Sequence, residues 1–332
     1  MASKYVPIIR WKRGEQNALL NLLEDVKDLV TPFIEIPFTP TAEKNIARID
    51  TIWSGRQFYF YLCPDWYEDE PDTYKFYMEK IQSTNCDTAI PVFDLSNDTD
   101  IRKSAGNTPN GVAIRIQNNE FGLIEDTLNG YVAEGVIDPD QTDLLLDLRY
   151  VYENDLFSKE SVIKATFADL EGSQRYRSII ISSCSFPKSF TNLESDRVYS
   201  YRRTELQVYH LADKLAKRHG FNYIYSDYGP SDLEEVEFVV GMTPNFKIKY
   251  TTLDQYLYIK GKSLKKGGLD LEEVGSCCKL LVDRADFSGE GFSWGDDKIY
   301  ELASGKASSG GNLTSWVGYS YNHHISLIAK LI

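Results

Sequence analysis

Short apolar runs alternate with stretches of helical periodicity along the first 230 residues. Apolar and β-branched side chains form eight such runs, at 5–12, 31–38, 57–66, 88–96, 111–117, 142–150, 177–186 and 222–229. Between them, segments such as 15–26 and 198–219 repeat their apolar residues with the period of an amphipathic helix. Eight strand–helix units in one chain predict an α/β fold, a (β/α)8 TIM-like barrel.

The last hundred residues depart from this alternation. Residues 246–251 and 255–262 alternate apolar and polar side chains, which predicts an inserted β-hairpin where the last barrel helix should begin. Helical spacing returns at 269–282 and 298–302. We therefore predict a barrel core at 1–234. Residues 235–332 are predicted to form the hairpin and a C-terminal elaboration over the barrel mouth, within a single domain.

Composition narrows the class of protein. The 332 residues carry a net charge of −13, which disfavours tight non-specific binding of nucleic acid but allows a small anion held by a local arginine cluster. No apolar stretch approaches the roughly 20 residues of a membrane span, and the N-terminus resembles a strand more than a secretory signal. Five scattered cysteines without a CxxC pair indicate free thiols. We expect a cytoplasmic protein.

Candidate chemistry lies at the ends of the predicted strands, where (β/α)8 barrels hold their active sites. Charged side chains stand late in most of the apolar runs, and residues two apart share one face of a strand. The candidates at these ends are Arg10, Lys12, Glu35, Asp94, Arg115, Asp147, Arg149 and Asp227. A closed barrel is expected to bring them into a ring of carboxylates interleaved with basic groups.

Two interpretations of this ring remain open. In the first, a ligand site, the basic residues bind a phosphate or carboxylate, and Asp227 contacts another part of the substrate. Glu35, Asp94 and Asp147 then act as general acids or bases, or bind a hard cation such as Mg²⁺ or Mn²⁺. In the second, the charges neutralise each other as ion pairs above the barrel core. The sequence contains no Walker A, GxGxxG, HExxH or GxSxG motif, and its histidines and cysteines are too few and poorly spaced for zinc.

A tandem of histidines near the C-terminus is a further candidate. His323 and His324 follow Trp316 and Asn322. If this segment is extended, its adjacent side chains point to opposite faces, so one histidine can enter the cleft. His323 is then a candidate proton carrier, with Trp316 and Asn322 beside the substrate. The alternative is a packed histidine that is hydrogen-bonded to polar neighbours.

Several ordered motifs resemble the beta protein family, which is named after a T-even phage protein. They are Tyr5-Val6-Pro7-Ile8 with Lys12-Arg13-Gly14-Glu15, Pro32-Phe33-Ile34-Glu35-Ile36-Pro37, Ser226-Asp227-Tyr228-Gly229, Trp294-Gly295-Asp296, and Trp316 and Gly318 with Asn322-His323-His324. The resemblance spans nearly the whole chain. It implies a phage or bacterial cytoplasmic protein, of a family often found near mobile and defence-associated genes, and it implies no reaction.

Two functional hypotheses follow. The first is a hydrolase, similar to a phosphodiesterase, that acts on a nucleotide or another phosphorylated small molecule at the barrel mouth. The second is a non-catalytic phage or antiphage-defence component that binds a nucleotide signal or a protein partner. The hairpin is its candidate docking surface, through Lys247, Lys249, Tyr250, Tyr256, Tyr258, Lys260 and Lys262.

Overall fold

Eight parallel strands close into a barrel in the computed structural model. It describes residues 4–66, 71–85, 87–97, 99–105, 108–171, 175–190, 193–233, 245–263 and 269–332. The strands are β1 (Tyr5–Arg10), β2 (Phe33–Ile36), β3 (Phe58–Leu62), β4 (Ala89–Asp94), β5 (Val112–Gln117), β6 (Thr142–Tyr150), β7 (Ser178–Cys184), β8 (Val198–Arg202), β9 (Tyr223–Asp227), β10 (Asn245–Thr251) and β11 (Gln255–Ser263). The barrel order is β1-β2-β3-β4-β5-β6-β7-β9. Each of the eight predicted runs contains one barrel strand, so the predicted (β/α)8 fold is confirmed.

Helices alternate with the strands, as the periodicity predicts. The α-helices of the described residues are α1 (Arg13–Leu20), α2 (Glu24–Lys27), α3 (Ala42–Ile46), α4 (Ile49–Ile52), α5 (Pro71–Thr84), α6 (Thr99–Ala105), α7 (Ile124–Ala133), α8 (Leu156–Glu171), α9 (Glu205–His219), α10 (Leu271–Val282), α11 (Trp294–Ala303) and α12 (Leu313–Leu331). No helix in this part of the chain is long and apolar enough to cross a bilayer.

The chain divides into two compact units. The first, the barrel unit, comprises 1–11, 29–185 and 204–228. The second comprises 12–28, 186–203 and 229–332. The boundary predicted at 234–235 lies outside the described residues, and the expectation that the C-terminal segment covers the barrel mouth stays a prediction.

The barrel strands are buried along almost their whole length. Strands β2, β3, β4 and β7 have no exposed position, which explains why they appear in the sequence as mainly apolar runs. Contacts between strands that are not neighbours identify the side chains of the interior. Glu35 on β2 reaches Arg115 on β5, and Tyr59 on β3 reaches Asp143 on β6. The polar side chains that the runs contain therefore meet inside the barrel.

The second unit contains a three-stranded antiparallel sheet of order β10-β11-β8. The predicted hairpin is present as β10 and β11, but the prediction of one helix over 198–219 is wrong at its start. Val198–Arg202 forms β8, and the helix α9 begins at Glu205. On β8, Tyr199 and Tyr201 alternate with polar residues. This period of two is typical of a strand, and it predicts the structure here better than the helical pattern of the following α9 segment does.

Most of the hairpin tyrosines are buried within their own unit. Tyr250, Tyr256 and Tyr258 are each at most 5% exposed. The ring of Phe190 stacks on Tyr258 with 3.8 Å between the ring centroids. Lys247 and Lys262 are the exposed members of the predicted docking set. The aromatic side chains that made the hairpin a docking candidate are thus used in packing.

Candidate functional site

Arg115 lies at the centre of a charged cluster inside the barrel. The guanidinium is buried between two carboxylates: Nη1 donates to Glu35 at 3.0 Å and Nη2 to Asp147 at 2.7 Å. It also lies over the ring of Tyr61, 5.0 Å from the centroid. Because Arg115 lies on the inward face of β5 and Glu35 on that of β2, the contact spans the barrel. The ring predicted from alternating strand positions therefore forms around this arginine.

Asp147 is a fixed anion within the cluster. Its Oδ2 accepts hydrogen bonds from Arg115 and from the Tyr228 hydroxyl at 2.5 Å, and its Oδ1 accepts one from Ser182 at 3.2 Å. Burial acts to raise the pKa of Asp147, but the charge of Arg115 and the Tyr228 hydrogen bond outweigh burial and lower that pKa. Burial raises the pKa of the Tyr228 phenol far above its ordinary value, so its proton stays available for donation.

Asp94 differs from the other carboxyl groups of the cluster. Its Oδ2 accepts a hydrogen bond from the Tyr61 hydroxyl at 2.6 Å, whereas its buried Oδ1 has no hydrogen-bond partner among the described residues. Burial raises the pKa of Asp94, and the charge of Arg115 and the Tyr61 hydrogen bond only partly offset this. A buried polar atom without a partner is rare and requires an explanation, of which a ligand is one.

Arg149 adopts a backbone conformation that is uncommon for a side-chain-bearing residue. Its φ is 57°, in the left-handed region that costs a non-glycine residue about 1–2 kcal/mol. Two hydrogen bonds fix the neighbouring peptide groups: Arg149 N donates to Asp147 Oδ1 at 3.0 Å, and Lys159 Nζ donates to Leu148 O at 2.9 Å. The conformation coincides with a β-bulge between Asp147 and Tyr150. Bulges and strained residues concentrate next to functional sites.

Two arginines of the cluster keep exposed surface. Arg10 Nε lies 3.8 Å from Glu35 and Arg149 Nη1 lies 3.9 Å from Asp147, both longer than a hydrogen bond. Their side chains are 31% and 38% exposed, against 4% for Arg115. Arg115 thus neutralises the buried carboxylates, and Arg10 and Arg149 present positive charge towards solvent.

The predicted divalent cation does not fit this arrangement. Among the described residues, no three His, Cys, Asp or Glu side chains converge as a metal site would require. The physical reason is Arg115, whose guanidinium occupies the space between Glu35 and Asp147 and uses their oxygens.

Asp227 lies outside the cluster. Its oxygens accept hydrogen bonds from the hydroxyls of Tyr5, at 2.6 Å, and Tyr225, at 2.9 Å. Its neighbours Ser226 and Tyr228 share the opposite face of the strand, and Tyr228 enters the cluster. Tyr225 packs against Tyr209 of α9, which places this face towards the helix layer. The structure therefore does not bring Asp227 together with the other candidates.

A second polar cluster occupies the opposite, N-terminal end of the barrel. Asp143, near the start of β6, accepts hydrogen bonds from Tyr59 at 2.7 Å, from Arg177 and from Ser178 at 2.6 Å. Hydrogen-bond partners of this kind offset the cost of burying a charged group inside a barrel. Every oxygen of Asp143 has a partner, in contrast to Asp94.

The chain is similar to a known protein family. The model of a family described as beta protein matches residues 5–330. The chain belongs to the beta protein family. The match covers nearly the whole chain and confirms the resemblance carried by its motifs. A search of curated proteins finds no match.

The beta protein motifs of the second unit form one buried network. Asp296 accepts hydrogen bonds from Tyr250 at 2.8 Å and from Ser293 at 2.6 Å, and its Oδ2 lies 2.8 Å from His323 Nδ1. His323 Nε2 lies 2.7 Å from the carbonyl oxygen of Thr251. A carbonyl oxygen only accepts hydrogen bonds, so Nε2 of His323 is the donor to Thr251, and both ring nitrogens are occupied.

The remaining second-unit candidates are also placed. Asn322, fully buried, donates to Ala18 O at 2.9 Å and accepts from Gly295 N at 3.1 Å. Trp316 donates to Gly310 O at 3.0 Å within the apolar core. Lys12 is exposed at the N-cap of α1. The expectation of an extended segment at 322–324 is wrong, because these residues belong to α12. The geometry favours the packed-histidine alternative for His323.

Gly295 provides a direct test of this network. A Cβ built on Gly295 would lie 2.3 Å from the carbonyl oxygen of Tyr319, a backbone atom of α12. We expect Gly295→Ala to lower the free energy of unfolding of the second unit by about 1–3 kcal/mol, the usual cost of overpacking. Gly305→Ala is a comparison with open space around the Cβ but a positive φ, so it reports backbone strain without a clash. Equal stability of Gly295→Ala and the wild type in urea unfolding would contradict the packing.

Sequence reasoning missed two residues of the barrel cluster, Tyr61 and Tyr228. Tyr61 donates a hydrogen bond to Asp94, and Tyr228 donates one to Asp147. Tyr228 stands within the family motif that contains Asp227, and strand alternation from Ser226 was the available signal. Tyr61 resembles any other aromatic residue of a buried strand, so nothing in the sequence singles it out.

Proposed function

We propose that the barrel mouth binds a phosphorylated small molecule and hydrolyses its phosphate ester. The observation that carries the proposal is Asp94, a buried carboxyl group with a raised pKa and an oxygen without a partner in the described structure. Beside it, Asp147 is held ionised. Carboxyl groups whose environments move their pKa values apart are the arrangement that acid–base catalysis uses.

The anion is bound by the two partly exposed arginines of the cluster, Arg10 and Arg149. Guanidinium groups match phosphate oxygens in planar, bidentate geometry. Arg10 and Arg149 have the exposed area for such contacts, while Arg115 is engaged with Glu35 and Asp147. These exposed guanidinium groups provide local positive charge, which favours a phosphate despite the negative charge of the whole protein.

The proposed reaction assigns one proton transfer to each of two carboxyl groups. A water molecule attacks phosphorus and gives a proton to Glu35, the general base, as its oxygen forms the new P–O bond. The ester P–O bond breaks, and Asp94 donates its proton to the leaving oxygen. Asp147 remains ionised and positions Arg115. His323 takes no part, because both of its ring nitrogens are engaged within the second unit.

The non-catalytic alternative uses the same mouth for a nucleotide signal. In this alternative the bound ligand is not turned over. An assay of released alcohol or phosphate therefore distinguishes it from the hydrolase. The hairpin offers little aromatic surface for a protein partner, because Tyr256 and Tyr258 are buried. The observations on the cluster therefore favour a small ligand.

Arg149→Gly tests the proposal through thermal unfolding with and without phosphorylated compounds. A ligand at 100 times its dissociation constant stabilises the wild type by about 2.7 kcal/mol. Glycine adopts the left-handed conformation readily, so relief of strain offsets the entropy it adds to the unfolded chain. We expect a free energy of unfolding within about 1 kcal/mol of wild type without ligand, and loss of the ligand-induced shift.

Asp196→Gly is the matched control, because Asp196 also has a positive φ, 61°, but belongs to the second unit. It should keep the full ligand-induced shift. An unchanged shift in Arg149→Gly, or no shift with any phosphorylated compound in the wild type, would refute phosphate binding at this mouth.

A further inference from the structure

The bulge in β6 changes which side chains face the barrel interior. Asp147 pairs with Ser182, and Tyr150 pairs with Cys184, so three steps along β6 match two along β7. Paired residues of neighbouring strands face the same side, and Ser182 faces the interior, where it contacts Asp147. Cys184, two residues on, shares that face, and so does Tyr150. Regular alternation would instead have turned Tyr150 towards the helix layer.

Tyr150 then forms part of an aromatic surface at the mouth. Its ring lies parallel to that of Tyr152, with 5.9 Å between centroids and 12° between planes. Both side chains are partly exposed. Arg149, with its partly exposed guanidinium, directly precedes Tyr150. A residue with a partly exposed guanidinium and one with a partly exposed aromatic ring are thus consecutive in the chain at the C-terminal end of β6.

The surrounding rim also exposes apolar side chains. Leu123, which follows β5, is 62% exposed, and Phe157, which follows β6, is 83% exposed. Since the strands are parallel, the segments that follow β5 and β6 lie at the same end of the barrel as Tyr150. The mouth on this side therefore offers flat and apolar surface next to its positive charge.

We propose that the ligand of the mouth is a nucleotide, with its base stacked on Tyr150 and its phosphate on Arg149. This inference rests on the proposed phosphate site and adds the class of compound that carries the phosphate. A nucleotide joins a planar ring to an anion, as the site joins an aromatic ring to a guanidinium. Stacking tolerates any base, because every base has a π face. The site accordingly selects nucleotides over sugar phosphates, with little preference among bases.

The test uses 2-aminopurine riboside 5′-monophosphate, whose fluorescence is quenched when the base stacks, and ribose 5-phosphate as the matched compound without a base. Tyr150→Ala should weaken binding of the fluorescent nucleotide about tenfold or more. Tyr150→Phe keeps the ring and should bind like the wild type. Ribose 5-phosphate, detected by thermal shift, should bind Tyr150→Ala and wild type equally.

The outcomes separate the two proposals. Binding of both compounds with no effect of Tyr150→Ala on the nucleotide would overturn the stacking inference and leave the phosphate site intact. Binding of neither compound would overturn the phosphate site itself. Loss of both compounds from Tyr150→Ala but not from Tyr150→Phe would also overturn the inference, since it would show that the ring supports the site and does not contact a base.

Discussion

Replacing Arg115 by methionine is expected to lower the free energy of unfolding of the barrel by about 3–5 kcal/mol at neutral pH. The substitution leaves Glu35 and Asp147 buried without the guanidinium that lies 3.0 and 2.7 Å from them. Methionine approximates the length of the arginine stem, so the loss reports uncompensated charge more than a cavity. Urea unfolding followed by circular dichroism measures the difference.

The loss should depend on pH in a defined direction. The pKa of Asp147 is lowered in the folded wild type, so the stabilisation by Arg115 is present above the unfolded pKa of aspartate, about 3.9, and is lost as pH falls through the folded pKa. The difference between Arg115→Met and wild type should therefore shrink in acid. Adding Glu35→Gln and Asp147→Asn to Arg115→Met should restore stability at neutral pH. A pH-independent loss, unchanged by these additions, would contradict the charge assignment.

Asp94→Asn is expected to reduce turnover of the phosphate ester by about 10²–10⁴-fold, the usual contribution of a general acid. Asparagine retains an oxygen for the Tyr61 hydroxyl, so the fold should persist. The pKa of Asp94 is raised in the folded state, so its favourable contribution to stability is present below the unfolded pKa and lost as pH rises through the folded pKa. The neutral amide of asparagine has no such proton to lose. The free energy of unfolding of Asp94→Asn at neutral pH should therefore equal or exceed that of the wild type.

This combination separates a catalytic role from a structural one. A structural Asp94 would give a variant that loses stability and activity together. Asp143→Asn, at the N-terminal end of the barrel, serves as the comparison: it should reduce stability, because Asp143 pairs with Arg177, and leave turnover per folded molecule unchanged. Full turnover by Asp94→Asn would remove the general acid from the proposed mechanism.

The barrel was predictable from sequence because its strands are buried on both faces. Such strands are mainly apolar, as in the run 142–150. The charged residues Glu35, Asp94, Arg115 and Asp147 were expected near the strand ends, where parallel barrels hold their active sites. Alternation along each strand placed Arg115 with the carboxylates correctly. Alternation does not describe Tyr150, because a single bulge residue reverses the face of the residues that follow it.

Other features depended on tertiary contacts that no local pattern contains. Val198–Arg202 became a strand because β11 offers it a neighbour, and the 322–324 segment became helical within α12. The choice between a ligand site and self-neutralised ion pairs also needed the structure. Arg115 with Glu35 and Asp147 follows the ion-pair interpretation, whereas Asp94, Arg10 and Arg149 retain the features of a ligand site.

The central claim is that a phosphate group binds beside a protonated Asp94. The most direct measurement is the pH titration of the Asp94 carboxyl carbon by NMR, with ¹³C-labelled aspartate and Asp94→Asn for assignment, in inorganic phosphate and in chloride at equal ionic strength. We predict a pKa above the ordinary value of about 3.9 in chloride, raised further in phosphate because the nearby anion disfavours the carboxylate. An ordinary pKa that is the same in both salts would contradict the claim.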